Sequence, residues 1–470
     1  MLNGFLGEAF PWLMAGTLVV ALFSGLPVGI VLAGVSMAFG LIGAWTGLLH
    51  ASDLNLVFYR VYGTLSNADN IQYAAVPALI FMGALLANTG MANGMLSGLR
   101  ELMPGFRGRL AVISTLLAVA LAPTAGVIAA SVSALAVIAF PAMMREGYAK
   151  PFAAGTLAAA GTLAVAIPPN VFLFFIANGL GIQIAALFLA MIGPIVLLLG
   201  GYIAYQAWAG RRFVADTKPA KTAPIRQSSV QTAELVWEAV PGLCVILSVV
   251  VSVIYGIATL SESAAVGATA ALIIGLAQRR LALSVVARSI AQTIWTTGMV
   301  FFIFIGATAF SVIFRLSGGA DSLFRLVGQM DSGPVTVLGA IMLIVFVLGF
   351  FVDWVEIVLI TFPVFQPILS DLDFTAHTGA PYLTSLWIAS LLALNLQMSF
   401  LTPPFGFSLF LTKASTPPDV SLTDIYKGVA PYVAIYLAVI FLVAAIPAIV
   451  TDLPGHFLDL TVKKGPSFAE

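Results

Sequence analysis

Residues Ala164–Phe175 read AVAIPPNVFLFF, two adjacent prolines, Pro168 and Pro169, inside an otherwise apolar run. Proline removes a backbone donor, and its ring clashes with the preceding turn. In hydrocarbon, each carbonyl freed this way costs several kcal/mol unless something satisfies it. Hydrocarbon is the setting that the composition implies: of 470 residues, 60% are hydrophobic and 9% charged. Soluble domains carry roughly 25% charged residues. Apolar runs of about 20 residues, enough to span a bilayer as a helix, recur along the chain. They do not alternate apolar and polar residues as barrel strands do. The fold class is therefore an all-α polytopic integral membrane protein.

The net charge is zero, so no global field points to nucleic acid or to an acidic partner. Cys244 is the only cysteine, which excludes internal disulfides and cysteine-built metal clusters. His50, His377 and His456 fall at loop-like positions without metal-ligand spacing. No transition metal or other cofactor is expected. The first apolar run leads straight into more membrane, so no cleavable signal peptide is expected.

Apolar spans run from near Pro11 to about Ala209 and resume near Leu235. Between them lies GRRFVADTKPAKTAPIRQSSVQTAE, whose basic residues place it in the cytoplasm by the positive-inside rule. Arg279, Arg280 and Arg288 suggest a second cytoplasmic loop. The two halves resemble each other. Pro168-Pro169 pairs with Pro403-Pro404 and Pro194 with Pro431, at nearly the same offset. IAFPAM around Pro141 pairs with ITFPVF around Pro363 at a shorter offset, which requires a longer connection in the second half. The organisation expected is a first membrane repeat over 1–210, a cytoplasmic linker over 211–233, a second repeat over 234–452 and a tail over 453–470. Hairpins fall at about 110–143 and 335–370, and broken helices at about 152–178 and 382–413.

Paired prolines can simply kink helices for packing. Two breaks in register favour another reading, because interrupted segments at matching positions of two halves point to the binding site of a secondary transporter. There unwound carbonyls bind a cation and helix ends face an anion. The breaks supply oxygen: Ser399 and Thr402 in SFLTPPFGFSLF, and Gly161, Thr162 and Asn170 in AAGTLAVAIPPN. Hydroxyl and carbonyl oxygen suits sodium better than a transition metal.

Each half has another anomaly upstream. ALAPTAGVIAASVSALAVIAFP, with Pro123-Thr124 and Gly126, could form a re-entrant hairpin. VLGFFVDWVEIVLITFP carries Asp353 and Glu356 in an apolar run, and a carboxylate at bilayer depth costs about 2.5–3.5 kcal/mol on insertion scales. The two acids share a face if the segment is helical. If the chain turns at Gly349–Asp353, Asp353 sits at a tip and can coordinate a cation. Both could also meet water at a span end. Glu262 reads first as a helix start after Thr259, and Arg315 and Lys413 are either anion partners or interface residues.

FPAMMREGYAKPFAAGTLAAAGT, LAVAIPPNVFLFFIANG, YGIATLSESAAV, GFFVDWVEIVLITFPVF and LTPPFGFSLFL, in this order, make the chain resemble the large permease subunit of tripartite ATP-independent periplasmic (TRAP) transporters, the DctM type. The resemblance covers nearly the whole chain. It implies a sodium-driven importer of organic anions in the bacterial inner membrane. It also implies a small DctQ-type membrane subunit and a DctP-type periplasmic substrate-binding protein. The implied architecture has inverted repeats, two re-entrant hairpins and two broken helices that move as an elevator against a scaffold. Matched onto this sequence, the implied sodium residues are Gly126, Gly349, Asp353, Thr402 and Pro403. The implied pocket adds Thr124, Ser131, Thr162, Pro168, Pro169, Asn170, Ser399 and Pro404. Many members carry Ser-Gly-Ser where this chain has Ala125-Gly126-Val127, and Ser where Asn170 stands. Thr124 and Ser131 are candidate substitutes for the missing hydroxyls. A serine-poor tip is similar to the branch that takes oxo, hydroxy and aromatic acids.

Two other readings are open. One is a sodium/anion symporter that needs no binding protein. The other is an ion-translocating subunit of a membrane redox complex. The latter would show a relay of intramembrane Lys, Glu and His, whereas the few acids here gather near one segment. No paired catalytic groups suggest an enzyme.

Overall fold

The computed structural model describes residues 2–22, 24–66, 72–90, 103, 106–120, 128–214, 244–329 and 333–458. The tip of the first expected hairpin, with Thr124 and Gly126, and most of the linker lie outside the described residues. The first half contains α1 (Leu2–Leu22), α2 (Val28–Trp45), α3 (Leu54–Ser66), α4 (Ala75–Asn88), α5 (Arg109–Ala120), α6 (Ile128–Arg145), α7 (Lys150–Ala166), α8 (Val171–Gly179) and α9 (Ile184–Phe213). The second half begins with α10 (Cys244–Ile254). It continues with α11 (Leu260–Ala277), α12 (Leu283–Leu316), α13 (Gly319–Gln329), α14 (Pro334–Leu348), α15 (Trp354–Asp371) and the short α16 (Thr375–Thr378). It ends with α17 (Pro381–Leu401), α18 (Phe407–Ser415), α19 (Leu422–Ala445) and α20 (Ala448–Leu458). Among the described residues, seven helices are long and apolar enough to cross a membrane, or eight if the bent pair α7–α8 is one span.

Local chemistry sets several boundaries. Thr259 and Glu262 form a reciprocal cap at the start of α11: the Glu262 carboxylate accepts from the Thr259 N–H at 2.8 Å, and the Thr259 hydroxyl accepts from the Glu262 N–H at 3.3 Å. Glu262 is thus a helix start. Helix α9 runs on to Phe213, past the expected linker boundary, with Arg211 and Arg212 in its last turn, where cations complement the helix dipole. Helix α20 likewise carries helical structure past 452. His377 and His456 lie in α16 and α20 rather than in loops.

Side-chain contacts fix how the helices run. Thr156 of α7 meets Tyr432 of α19 at 2.7 Å, and Gly155 and Pro151 lie against Gly428, so α7 and α19 run parallel. A Cβ at Gly155 or Gly428 would strike the backbone of the other helix. Trp387 at one end of α17 donates to the Val443 carbonyl at 2.8 Å, and Tyr426 donates to the Pro404 carbonyl at 2.7 Å. Helices α17 and α19 are therefore antiparallel, and so are α7 and α17. Helix α14 runs parallel to α17, because Asn395 donates to the Met342 carbonyl at 2.8 Å and Gly349 abuts Ser399. Helix α15 runs parallel to α8, with Trp354 on Phe172 (ring centroids 5.5 Å apart) and Phe362 on Gly179. The halves also exchange contacts: α6 packs on α18, and α15 packs on α8.

The broken helices occupy the centre. In α7 every residue from Phe152 to Ala166 is buried. The most apolar stretch of α17 is 89% buried inside the protein, against 39% for α2. Both helices are enclosed up to the point where they break, and a backbone break at membrane depth is tolerated where protein or a water-filled cavity surrounds it.

Candidate functional site

Helix α7 stops at Ala166, and α8 starts at Val171 with its axis bent by 51°. Pro168, Pro169 and Asn170 between them are buried. The Asn170 side chain accepts from the Phe172 N–H at 2.9 Å. Asn170 is therefore the N-cap of α8, a role for which Asn is among the best residues.

The second break runs over 402–406, between α17 and α18. Its carbonyls are given donors by nearby groups: Ser408 Oγ bonds the Phe400 carbonyl at 2.7 Å, and the Gly406 N–H bonds that of Thr402 at 3.0 Å. Gly406 fits because a Cβ there would lie 2.6 Å from the Phe400 oxygen. The two breaks differ in access. Thr402 and Pro403 are half-buried, whereas Pro404 and Phe405 are exposed. Both prolyl–prolyl bonds, 168–169 and 403–404, are cis.

The chain turns at 349–353 between α14 and α15, and this decides between the readings of the two acids. Asp353 caps α15, accepting from the Trp354 N–H at 2.8 Å, and Glu356 occupies the first turn. Both carboxylates thus sit at the positive end of a helix dipole. Glu356 Oε2 is buried with no hydrogen-bond partner among the described residues.

This turn joins the candidate residues. Gly349 lies against Ser399, and the ring of Phe351 is 5.5 Å from that of Phe405 in the second break. On its other side, Trp354 packs on Phe172, two residues beyond Asn170 of the first break. In the first half, Ser131 of α6 donates to the Gly161 carbonyl at 2.8 Å, so α6 reaches α7 just before that break.

The hydroxyls share one polarity. Ser131 donates to Gly161, Thr162 to Ala158 (2.8 Å), Ser399 to Leu396 (2.6 Å) and Thr402 to Met398 (2.7 Å). A hydroxyl has one proton and two lone pairs. Each of these spends its proton on a helix carbonyl, so what it can offer a cation is oxygen lone pairs rather than a proton. Among the described residues, no cluster of three or more His, Cys, Asp or Glu could hold a metal ion.

Lys413 is not directed at a ligand: its Nζ donates to the Pro418 and Val420 carbonyls at 3.1 and 2.6 Å. Arg315 lines a cavity between α12 and α15. The sequence reading missed Gln397, which is fully buried in α17 with neither amide atom hydrogen-bonded among the described residues. It also missed Trp354, whose indole Nε1 is buried with no hydrogen-bond partner among the described residues. The available signal for Gln397 was a pair of amides, Asn395 and Gln397, in an apolar run just before the break.

Enclosed, interrupted helices lined with oxygen, in a bundle with seven or eight spans, define a polytopic membrane transporter rather than an enzyme. Residues 15–449 match the family described as "Tripartite ATP-independent periplasmic transporter, DctM component", and the chain belongs to that family. It is a multi-pass protein of the bacterial inner membrane. It is 26% identical over 424 residues to the C4-dicarboxylate TRAP transporter large permease protein DctM of Pseudomonas aeruginosa, covering 89% of this chain and 94% of that one. It is 27% identical over 421 residues to the isethionate TRAP transporter permease protein DctMQ of Oleidesulfovibrio alaskensis, covering 88% of this chain and 63% of that one. Among solved structures, the YdaH transporter of Alcanivorax borkumensis superposes with a TM-score of 0.51 at 13% identity. The match covers 86% of this chain and 91% of that one, and is a likeness of fold.

Proposed function

We propose that this chain is the membrane subunit that carries a small organic anion inward, driven by sodium, after a DctP-type periplasmic binding protein delivers it. Sodium binds among Gly349, Asp353, Ser399, Thr402 and Pro403, with a counterpart around Ser131, Thr162 and the break at Pro168-Pro169. The observation that carries this reading is the turn at 349–353, which touches the second break through Gly349 and Phe351 and the first through Trp354. A cation held there would be sensed by both interrupted helices. The opposed directions of α7 and α17, and the reciprocal packing of α6 on α18 and α15 on α8, support inverted repeats with two re-entrant hairpins. The body so formed moves as an elevator against the helices around α2, α4, α11 and α12.

The substrate is a carboxylate or a comparably small acid, in line with relatives named for C4-dicarboxylate and for isethionate. A DctQ-type subunit is the second partner. The isethionate relative carries both letters in its name, and this chain covers 63% of it.

Uptake into proteoliposomes holding this chain and its small subunit tests the reading. Transport should need both an inward sodium gradient and the cognate binding protein. Uptake that continues after the sodium gradient collapses would refute the coupling. Uptake without the binding protein would favour a free-standing symporter.

A further inference from the structure

Well upstream of the first break, α5, α7, α9 and α19 meet on polar side chains. Thr115, Thr156, Tyr202, Gln206, Tyr432 and Tyr436 are each 0% exposed. Tyr202 and Gln206 lie four residues apart on α9, and Tyr432 and Tyr436 four apart on α19, so each pair shares a helix face. The two faces meet. The Tyr202 ring packs edge-on against Tyr432, with centroids 4.7 Å apart, and lies 6.2 Å from that of Tyr436. Part of the cluster is satisfied. Thr115 gives its proton to the Ala111 carbonyl at 3.2 Å, so its oxygen accepts from Gln206 Nε2 at 2.7 Å. The same nitrogen donates to the Tyr432 hydroxyl at 3.2 Å, and Tyr432 and Thr156 are joined at 2.7 Å. These bonds set which end of the Gln206 amide is nitrogen, and its oxygen is left for another partner. Three polar atoms of the cluster have no hydrogen bond among the described residues: Tyr202 Oη, Tyr436 Oη and Gln206 Oε1. The two hydroxyls approach each other without the geometry of a hydrogen bond.

Buried polar groups are paired in about nine cases of ten, so three bare atoms in one cluster require a shared partner. We infer that this partner is a single internal water molecule. A buried water makes about three hydrogen bonds. Here its oxygen accepts from the Tyr202 and Tyr436 hydroxyls, and it donates one proton to Gln206 Oε1. A sodium ion would meet three neutral oxygens instead. None of the six side chains carries a charge to offset it, and an unpaired buried charge is costly. The water extends a chain of bonds that runs from α5 through Gln206 and Tyr432 to α7. Gln206 pairs with Tyr432 and Tyr202 faces Tyr436, so the water adds a second tie between α9 and α19, one helical turn from the first. Helices from both halves of the chain are thereby held as one unit. Nothing in this site depends on the transport reading.

Thermal unfolding of the purified full chain tests the site by the sign of the effect. The variants are Tyr202→Phe, Tyr436→Phe and the two combined, each of which keeps the ring packing. If a water joins the hydroxyls, each single variant loses a hydrogen bond, and the melting temperature should fall by about 1–4 °C. The double variant should fall by less than the sum, because both changes act on one water. If the hydroxyls have no partner, Phe removes a buried polar group, and an unchanged or raised melting temperature overturns the water. Strict additivity overturns a shared one. The same scans are run in sodium chloride and in choline chloride. The difference between the two salts should be equal in wild type and variants; its loss in the Phe variants assigns the site to sodium and overturns the water. A density map of the full chain at about 2 Å gives the direct check. It should show one peak about 2.7–3 Å from Tyr202 Oη, Tyr436 Oη and Gln206 Oε1. The two hydroxyl oxygens bonded directly to each other, with no peak beside them, would overturn the site.

Discussion

Replacing Gly349 by Ala tests the turn at 349–353 most directly. A methyl built at Gly349 would lie 2.7 Å from Ser399 Cβ and closer still to its Oγ. The hydroxyl could rotate away, but the Cβ is fixed by the backbone of α17, buried at every position from Thr384 through Leu401 except one. Overpacking of this kind costs about 1–3 kcal/mol. If the strain falls on the sodium-bound arrangement, that range corresponds to roughly a 5- to 150-fold rise in the sodium concentration for half-maximal uptake. The second variant is Ser399→Gly, which removes both clashing atoms at a helix cost of about 1 kcal/mol. In the double variant the methyl enters the space that Ser399 vacated. A coupling of about 0.5–3 kcal/mol should therefore appear, with the double variant better than the sum of the singles. Two measurements are needed: the sodium midpoint of uptake in proteoliposomes, and the melting temperature of the chain without sodium. Wild-type behaviour of Gly349→Ala in both, or strict additivity, would refute the contact. A melting-temperature loss with an unmoved sodium midpoint would leave a packing role and remove Gly349 from the ion site.

Asp353→Ser keeps a cap acceptor for α15 and removes the charge, whereas Asp353→Ala removes both; the Ala change should lower the melting temperature by a further 0.5–2 kcal/mol equivalent, about the worth of a cap. Both should raise the sodium midpoint, and an unchanged midpoint in both would exclude the carboxylate as a ligand. Lys413→Met removes two bonds to the 418 and 420 carbonyls; it should cost about 2 kcal/mol of stability while the anion concentration for half-maximal uptake stays fixed, and a shift in that concentration would restore Lys413 as a ligand. Lys150 hydrogen-bonds Asp419, with an ion pair at 2.7 Å, and holds its carboxyl below the ordinary 3.8. A depressed carboxyl contributes stability above its unfolded value and loses it as pH falls through the folded one. The melting-temperature difference between wild type and Lys150→Met should thus be steady at neutral pH and vanish at the acid end; a difference that grows on acidification would contradict the pairing.

The breaks were legible in the sequence because proline writes its effect locally. Pro168, Pro169, Pro403 and Pro404 lack N–H groups wherever the chain goes, and the helices on either side stop at 166 and 401 and resume at 171 and 407. Asp353 was half legible. Gly349 and the acid four residues on are compatible with a turn or with a continuous helix, and only packing decides. Gly349 abuts Ser399 and Trp354 packs on Phe172, with the chain turning between them. Which hydroxyl meets which helix was not legible. The pairing of Ser131 with Gly161 depends on how α6 crosses α7, a matter of side-chain volume at Val132.

The polarity of the hydroxyls links these local facts to the mechanism proposed. A serine or threonine in a buried helix has two ways to satisfy itself, donating to its own helix or to a neighbour. Thr162, Ser399 and Thr402 donate within their own helices, and Ser131 donates across to α7. None of these protons is left to repel a cation. The same economy would be wrong for an anion, which needs donors. Donors occur elsewhere: Arg315 and the Asn178 amide line the cavity between α12 and α15, nine residues of α8 away from the first break. The hydroxyls at the breaks and the Arg315 cation thus lie toward opposite ends of one short helix. A transporter that must hold a cation and an anion together, yet admit them from water one at a time, gains from that separation. In the mechanism proposed, each ion is desolvated by groups of the opposite polarity, and the helix between them would pass a displacement at one end to the other.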